Sequence, residues 1–266
     1  QKQATALYET RTPSETVLGG GAKYEYAKGS NVYLNIQETF RFLATDEWYS
    51  TWTGLNTSLK QQTGIQYELG FKHNLKDTFL ITATPYIMDI ENEIYLNPSP
   101  SPGQNENYGK TRRKGIELGL RADLRKFYSI PSLDRLDFFT NYTFEDAKFR
   151  GGAYSGKQIP MVPRIQNNAG LNVGFLENYI LSMTAKYVGD RHAINDTRNE
   201  TSKVKNYFTL DTKLSYKNDF MELYGGVNNI FNEKYSIYVA KSTSSAKKDY
   251  YPAPERNFEI GAVYKW

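Results

Sequence analysis

The chain has 266 residues, with 33 basic against 29 acidic side chains, 22 tyrosines, 14 phenylalanines and no cysteine. The missing thiols exclude a disulfide framework and a thiolate metal site, and a net charge of +4 is too balanced to call for nucleic acid. Mean hydropathy is −0.65 with no long apolar run, which excludes a transmembrane helix but not a membrane barrel, whose alternating strands leave little hydropathy signal.

Side chains alternate faces along a strand, and a period of two runs through the chain. Residues 17–28 and 31–40 predict a first pair joined at Lys28-Gly29-Ser30, with Val32, Leu34 and Ile36 opposed to Tyr33, Asn35 and Gln37. Strands over 62–74 and 78–95 meet at Asn74-Leu75-Lys76-Asp77. In 111–125, Ile116, Leu118, Leu120, Ala122 and Leu124 share one face, against Gly115, Glu117, Gly119, Arg121 and Asp123. A strand over 135–147 follows a connection containing Pro131. In 164–175, Ile165, Asn167, Ala169, Leu171, Val173 and Phe175 oppose Gln166, Asn168, Gly170, Asn172 and Gly174. The strands 179–188 and 207–216 follow, and a strand after Phe220 leads to the closing segment. There Phe258, Ile260, Ala262, Tyr264 and Trp266 oppose Asn257, Glu259, Gly261 and Lys265, with Val263 the exception. That makes eleven strands over 17–266, and residues 3–9 predict a twelfth.

Connections alternate in length. Short turns at 28–30, 74–77, 176–178 and 217–219 separate long polar loops at 41–60, 96–110, 148–162, 191–203 and 237–253. Outer-membrane barrels show that asymmetry, with short periplasmic turns and long extracellular loops, and their aromatic girdles suit the tyrosine and phenylalanine content. The expected fold is all-β, a transmembrane antiparallel β-barrel with about 11–12 strands present. Its apolar face (Leu171, Val173, Leu181, Leu210, Leu214) meets lipid, and its polar face (Asn172, Lys186, Asp211, Lys213) meets the lumen. Closing the barrel would remove the aggregation-prone edge of the last strand. Spacing alone fits both a small complete barrel and the C-terminal part of a larger one. No signal peptide precedes Gln1, so a mature or truncated chain is expected.

The stretch ELYGGVNNIFNEKYS, followed by YYPAPERNFEIGAVYKW, resembles the C-terminal end of TonB-dependent outer-membrane receptors. FRFLATDEWYSTWTGLNTSLKQQTGIQYELGFKHNL and NYGKTRRKGIELGLRADL resemble middle-barrel strands of the same family, in the same order. The chain departs from the family pattern where Phe42-Leu43 follows Phe40-Arg41 without the usual proline, and where the NP-x-LKPE segment reads Asn56-Thr57-Ser58-Leu59-Lys60-Gln61-Gln62. The resemblance implies that residues 1–266 form the C-terminal portion of a barrel of about 22 strands, with the plug domain absent from this chain. It implies TonB-powered import of a scarce metal chelate, most often a ferric siderophore. Its partners would be outer-membrane lipid and lipopolysaccharide, the chelate, the plug with the remaining strands, and the TonB complex, with no cofactor and no nucleic acid. It also implies that the terminal aromatic Trp266 acts as an assembly signal.

Ligand contact is expected on the long loops, where aromatic faces stack on chelates and Arg forks bind oxyanions. The candidates are Trp48, Tyr49 and Trp52, then Tyr108, Arg112 and Arg113, then Tyr154, then Arg191 and His192, and last Tyr250 and Tyr251. No histidine lies between Arg41 and Leu59, which argues against haem, and His73 is expected to be solvated beside its turn. Glu91 and Glu93 share a predicted strand face with no basic or nucleophilic companion, and no triad, phosphate loop or zinc spacing occurs, so no catalytic or metal residue is expected. The competing function classes are a passive porin or small autotransporter-type barrel, and a soluble β-rich binding or hydrolytic domain.

Overall fold

The computed structural model describes residues 12–50, 54–97, 104–128, 130–242 and 245–265. The predicted strand 3–9, Trp52 and Trp266 lie outside the described residues.

One eleven-stranded sheet holds the chain together. Its strands are β1 (Gly19–Ala27), β2 (Ser30–Arg41), β3 (Gln62–Leu75), β4 (Phe79–Glu91), β5 (Lys110–Asp123) and β6 (Leu133–Phe149). They continue as β7 (Ile165–Phe175), β8 (Tyr179–Val188), β9 (Tyr207–Lys217), β10 (Met221–Asn228) and β11 (Asn257–Tyr264). Each pairs antiparallel with the next in sequence, so the sheet is an up-and-down meander with β1 and β11 at its two edges. The sheet is open among the described residues: the two edge strands do not pair with each other.

Register lines up the two faces across strands. One rung runs Leu136, Val173, Leu181, Leu214, Gly225 and Ile260. The rung one residue along runs Asp137, Asn172, Ser182, Lys213, Gly226 and Glu259. The first is apolar and open, with Leu214 at 46% and Ile260 at 92% exposure. In the second, Ser182 Oγ donates to Asn172 Oδ1 at 2.8 Å. An apolar face left uncovered over a whole sheet suits hydrocarbon, and the polar face needs water or protein.

Aromatic rings border the apolar face. Near the short turns, Tyr26 stacks on Phe71 and His73 at 6.2 and 6.0 Å, and Tyr179 meets Phe175 and Tyr216 at 5.6 and 5.2 Å. Near the long loops, Phe40 meets Phe42 at 4.7 Å and Phe208 meets Phe231 at 6.0 Å. His73 therefore belongs to a girdle rather than to solvent, and Tyr26 Oη lies 2.9 Å from its Nδ1. On the polar face, rings lie over glycines directly across the ladder: Tyr33 on Gly70, Phe139 on Gly170 and Tyr224 on Gly261. A Cβ at Gly70 would sit 1.9 Å from the Tyr33 ring, so the wall there has no room for a side chain.

Two predicted features change. The strand over 78–95 breaks at Asn92, whose φ of 56° turns the chain, and a separate hairpin (Ile94–Asn97 with Gln104–Asn107) follows. The same break sends Glu91 and Glu93 to different partners, Lys110 at 2.5 Å and Arg113 at 2.5 Å, so they neither share a face nor lack basic companions. The long connection before β11 also holds a hairpin (Ser236–Lys241 with Lys248–Pro252) that alternation in a polar stretch does not reveal.

Two short turns carry backbone strain. Lys76 and Asp77 have φ of 52° and 53°, and Leu176 and Glu177 have 51° and 63°. Asn74 steadies the first, its Oδ1 accepting from the Asp77 N–H at 3.1 Å and its Nδ2 donating to Asp77 Oδ1 at 2.6 Å. The second has no such bracket among the described residues. Replacing Leu176-Glu177 by Asn-Gly, which suits this turn geometry, should raise refolding stability by about 1–2 kcal/mol, measured by urea titration in detergent. Leu171→Arg should cost about 2–4 kcal/mol in the same assay because it places a charge in lipid, whereas Asn172→Arg on the polar face should cost far less.

Candidate functional site at the loop mouth

The five long connections lie at one end of the sheet: L1 (42–61), L2 (92–109), L3 (150–164), L4 (189–206) and L5 (229–256). The two buried apolar clusters of the described chain sit at this end, among the loops and the strand ends that feed them. Ala147, Phe149 and Ile159 form one cluster, with Tyr108, Tyr154 and Val162 packed against it. Ala193, Val204 and Val239 form a second, joining L4 to L5.

Side-chain and backbone bridges link each loop to the next. Asn56 Nδ2 donates to the Asn105 carbonyl at 2.6 Å, and the Lys60 N–H donates to Asn107 Oδ1 at 2.8 Å, tying L1 to L2. Tyr108 of L2 meets Phe149 edge-on at 4.6 Å and Tyr154 of L3 at 6.1 Å. Asn199 of L4 is bonded both ways to Gln158 of L3, at 2.6 and 3.0 Å. Ile194 of L4 exchanges backbone bonds with the L5 hairpin, both at 2.9 Å. These contacts join the five loops into one continuous layer at that end of the sheet.

Asp196 organises L4. Its side chain is fully buried and accepts from the N–H groups of Glu200 and Thr201, from Thr201 Oγ1 at 2.8 Å, and lies 3.2 Å from His192 Nδ1. Burial alone would raise its carboxyl, but the bonds from Thr201, Glu200 and His192 outweigh it and hold it below the usual carboxylate range. Arg191 is equally enclosed, at 3% exposure. Its Nη2 donates to the Ser236 carbonyl at 2.7 Å, and its guanidinium lies 5.6 Å from the Tyr207 ring centroid.

The expected contact residues divide accordingly. Tyr49, Tyr250 and Tyr251 are exposed rings on L1 and L5. Trp48 is half-buried in a short helix (Thr45–Trp48), and Trp52 lies outside the described residues. Tyr108 and Tyr154 are partly buried in the loop core, and Arg191 and His192 are buried between loops. Arg113 is on the polar face, bound to Glu93 at 2.5 Å and 3.8 Å from Glu145. Arg112 is a correction. It shares a face with Lys114 and Ile116, turned away from the mouth, and grips Asp89 with contacts of 2.6 and 2.7 Å. Adjacent strand residues point to opposite faces, so both arginines could not serve one lumen.

A cleft of about 290 Å³ opens between L2, L3, L4 and L5. Tyr95, Tyr154, Asn195, Arg198 and Lys241 line it together with the Asp196 turn. Tyr95 stacks face to face on Tyr108 at 3.5 Å. Burial, and then the bond to Glu106, push its hydroxyl well above the ordinary tyrosine range. Of these residues only Tyr154 was a sequence candidate. Tyr95 was hidden by its assignment to a strand, Asn195 and Arg198 by a polar loop, and Lys241 by the unrecognised hairpin.

The family model for the TonB dependent receptor-like β-barrel matches residues 5–230. The chain belongs to the TonB-dependent receptor family. Such receptors are outer-membrane β-barrels of Gram-negative bacteria, which removes the soluble-domain reading. An uncharacterized TonB-dependent receptor of Haemophilus influenzae is 26% identical over 240 residues, covering 84% of this chain and 64% of that protein. The ferric-catecholate import receptor Fiu from E. coli K12, in closed form, superposes with a TM-score of 0.65 at 24% identity, over 92% of this chain and 34% of that one. The copper transporter OprC superposes at 0.71 with 16% identity, over 92% and 38%. The receptor chain thus spans about two thirds of the Haemophilus relative and roughly a third of each solved structure.

The L4 turn makes a pH prediction. A carboxyl held below its unfolded value stabilises the turn above the ordinary carboxylate range, and that contribution is lost as pH falls through the folded value. Hydrogen-exchange protection of the Glu200 and Thr201 amides, taken relative to the intrinsic rate at each pH, should therefore fall below about pH 4. In Asp196→Asn, protection of these amides should be low already at neutral pH and change little on acidification.

Proposed function

We propose that this chain forms part of the barrel of a receptor that imports a scarce metal chelate, a ferric siderophore in the first instance, across the outer membrane under TonB control. The observation that carries the proposal is the cleft at the loop mouth. Two partly buried tyrosines, an arginine and a lysine converge on it from four cross-linked loops. Rings present flat apolar surface to a chelate, Arg198 supplies a fork for oxyanion donors, and Lys241 adds a point charge. A concave site with a few convergent polar groups is what selective capture needs. The exposed rings of Tyr49, Tyr250 and Tyr251 would extend the contact surface at the rim.

In this reading the polar face receives a plug. Glu117 makes no hydrogen bond or ion pair among the described residues, and Glu68 and Glu145 bond only partly, to neutral side chains or at long range. Such carboxylates on a barrel wall call for donors from a domain inside it, and further strands would cover the free edges of β1 and β11. The plug then links ligand binding to the TonB complex.

The test uses the full receptor that carries this chain. Tyr95→Ala, Arg198→Ala and Lys241→Ala together should reduce high-affinity ferric-chelate uptake at least tenfold while leaving surface expression unchanged. Uptake at the unsubstituted rate, with normal expression, would place the ligand elsewhere.

A further inference from the structure

The L5 hairpin rests on L4 through a small set of contacts. The Ile194 N–H donates to the Val239 carbonyl and the Lys241 N–H to the Ile194 carbonyl, both at 2.9 Å. Val239 is fully buried and packs with Ala193 and Val204. Lys248 Nζ donates to Ser202 Oγ at 3.0 Å. The first strand of the hairpin ends at Lys241, so the docked hairpin supplies one wall of the mouth cleft.

Arg191 is enclosed between the same two loops. Its backbone is bonded both ways to Val204, and its Nη2 reaches the Ser236 carbonyl where the hairpin begins. What it lacks is an anion. Nη1 is buried without a hydrogen-bond partner, and no carboxylate pairs with the guanidinium among the described residues. The two aspartates nearest in sequence are committed elsewhere, Asp190 to Lys203 at 2.8 Å and Asp196 to Thr201 at 2.8 Å. Beyond the Ser236 carbonyl, only the face of the Tyr207 ring, itself stacked on Tyr235 at 4.2 Å, offsets the charge.

Arginine keeps its proton inside proteins, so neutralisation does not relieve this burial. Burial pulls the guanidinium below the ordinary arginine range. One carbonyl and one ring face return less than the water they replace. That cost exists only while the hairpin is docked, and it disappears once the hairpin lifts and water reaches Nη1. We propose that Arg191 is a positioning residue that keeps the L5 hairpin weakly docked, making the hairpin a strap that opens and closes one wall of the mouth cleft. An apolar side chain of the same length would dock it more firmly. The docking equilibrium follows from the L4–L5 contact alone, whereas its consequence for chelate capture rests on the function proposed above.

The experiment is hydrogen exchange on the full receptor in detergent at neutral pH, expressed as protection relative to the intrinsic rate. The reporters are the Ile194 and Lys241 amides, which donate across the L4–L5 contact. Arg191→Met removes the charge at similar length and should raise protection of both amides at least fivefold. Arg191→Lys keeps the charge and should not raise it. Heat-modifiable gel migration confirms that each variant is folded. Protection that is unchanged or lower in Arg191→Met would make Arg191 a brace and overturn the proposal, as would an equal rise in Arg191→Lys. A second measurement needs no substitution. In the unsubstituted receptor the two reporters should be at least tenfold less protected than the Gln158 amide, which bridges L3 to L4 through the neutral Asn199 side chain. Equal or greater protection of the reporters would also overturn the strap. Ferric-chelate uptake should slow in Arg191→Met, and undiminished uptake beside raised protection would remove the strap from ligand entry.

Discussion

Hydrocarbon offers no partner for a backbone N–H or C=O, and everything else in this structure follows from that. A lipid-spanning sheet must therefore satisfy each strand through its neighbours, at several kcal/mol for every group left out. The eleven strands obey this by pairing with their sequence neighbours in one continuous antiparallel ladder. The same rule explains why the irregular backbone gathers at the strand ends. It also defines the two edges: β1 and β11 each present one unpaired side, and only further strands can satisfy them in lipid.

A sheet built this way has an inverted distribution of burial. The wall exposes Leu69, Leu118 and Ile260 because lipid solvates them, while the packed apolar clusters lie at the loop end, around Phe149 at the end of β6 and Val239 in L5. Loop packing is what can give the mouth a defined shape. The chain of bridges from Asn56 to Asn105, from Tyr108 to Tyr154, from Gln158 to Asn199 and from Ile194 to the L5 hairpin turns five separate connections into one surface. Buried polar groups such as Asp196 are stable there because every oxygen is matched by nearby donors.

Charge is sorted by face and by height. Arg112 and Arg113 are neighbours in sequence, yet the first pairs with Asp89 outside and the second with Glu93 and Glu145 on the polar face. A period of two makes this separation automatic, and it lets one short basic run contribute to two different environments.

The sequence by itself determined the strands, their order and their facing. Alternation over 179–188 matches β8 residue for residue, and the two central residues of the Leu176-Glu177 turn fall where the short connection was read. These features are local, since a period of two depends only on which solvent each face meets, and the family motifs add the chain order. Tertiary structure alone decided the mouth. The break at Asn92, the burial of Arg191 and His192 and the gathering of Tyr95, Arg198 and Lys241 all depend on contacts between segments far apart in sequence. Loop residues have no period to announce their direction, and only the neighbouring loops determine which of them face the cleft.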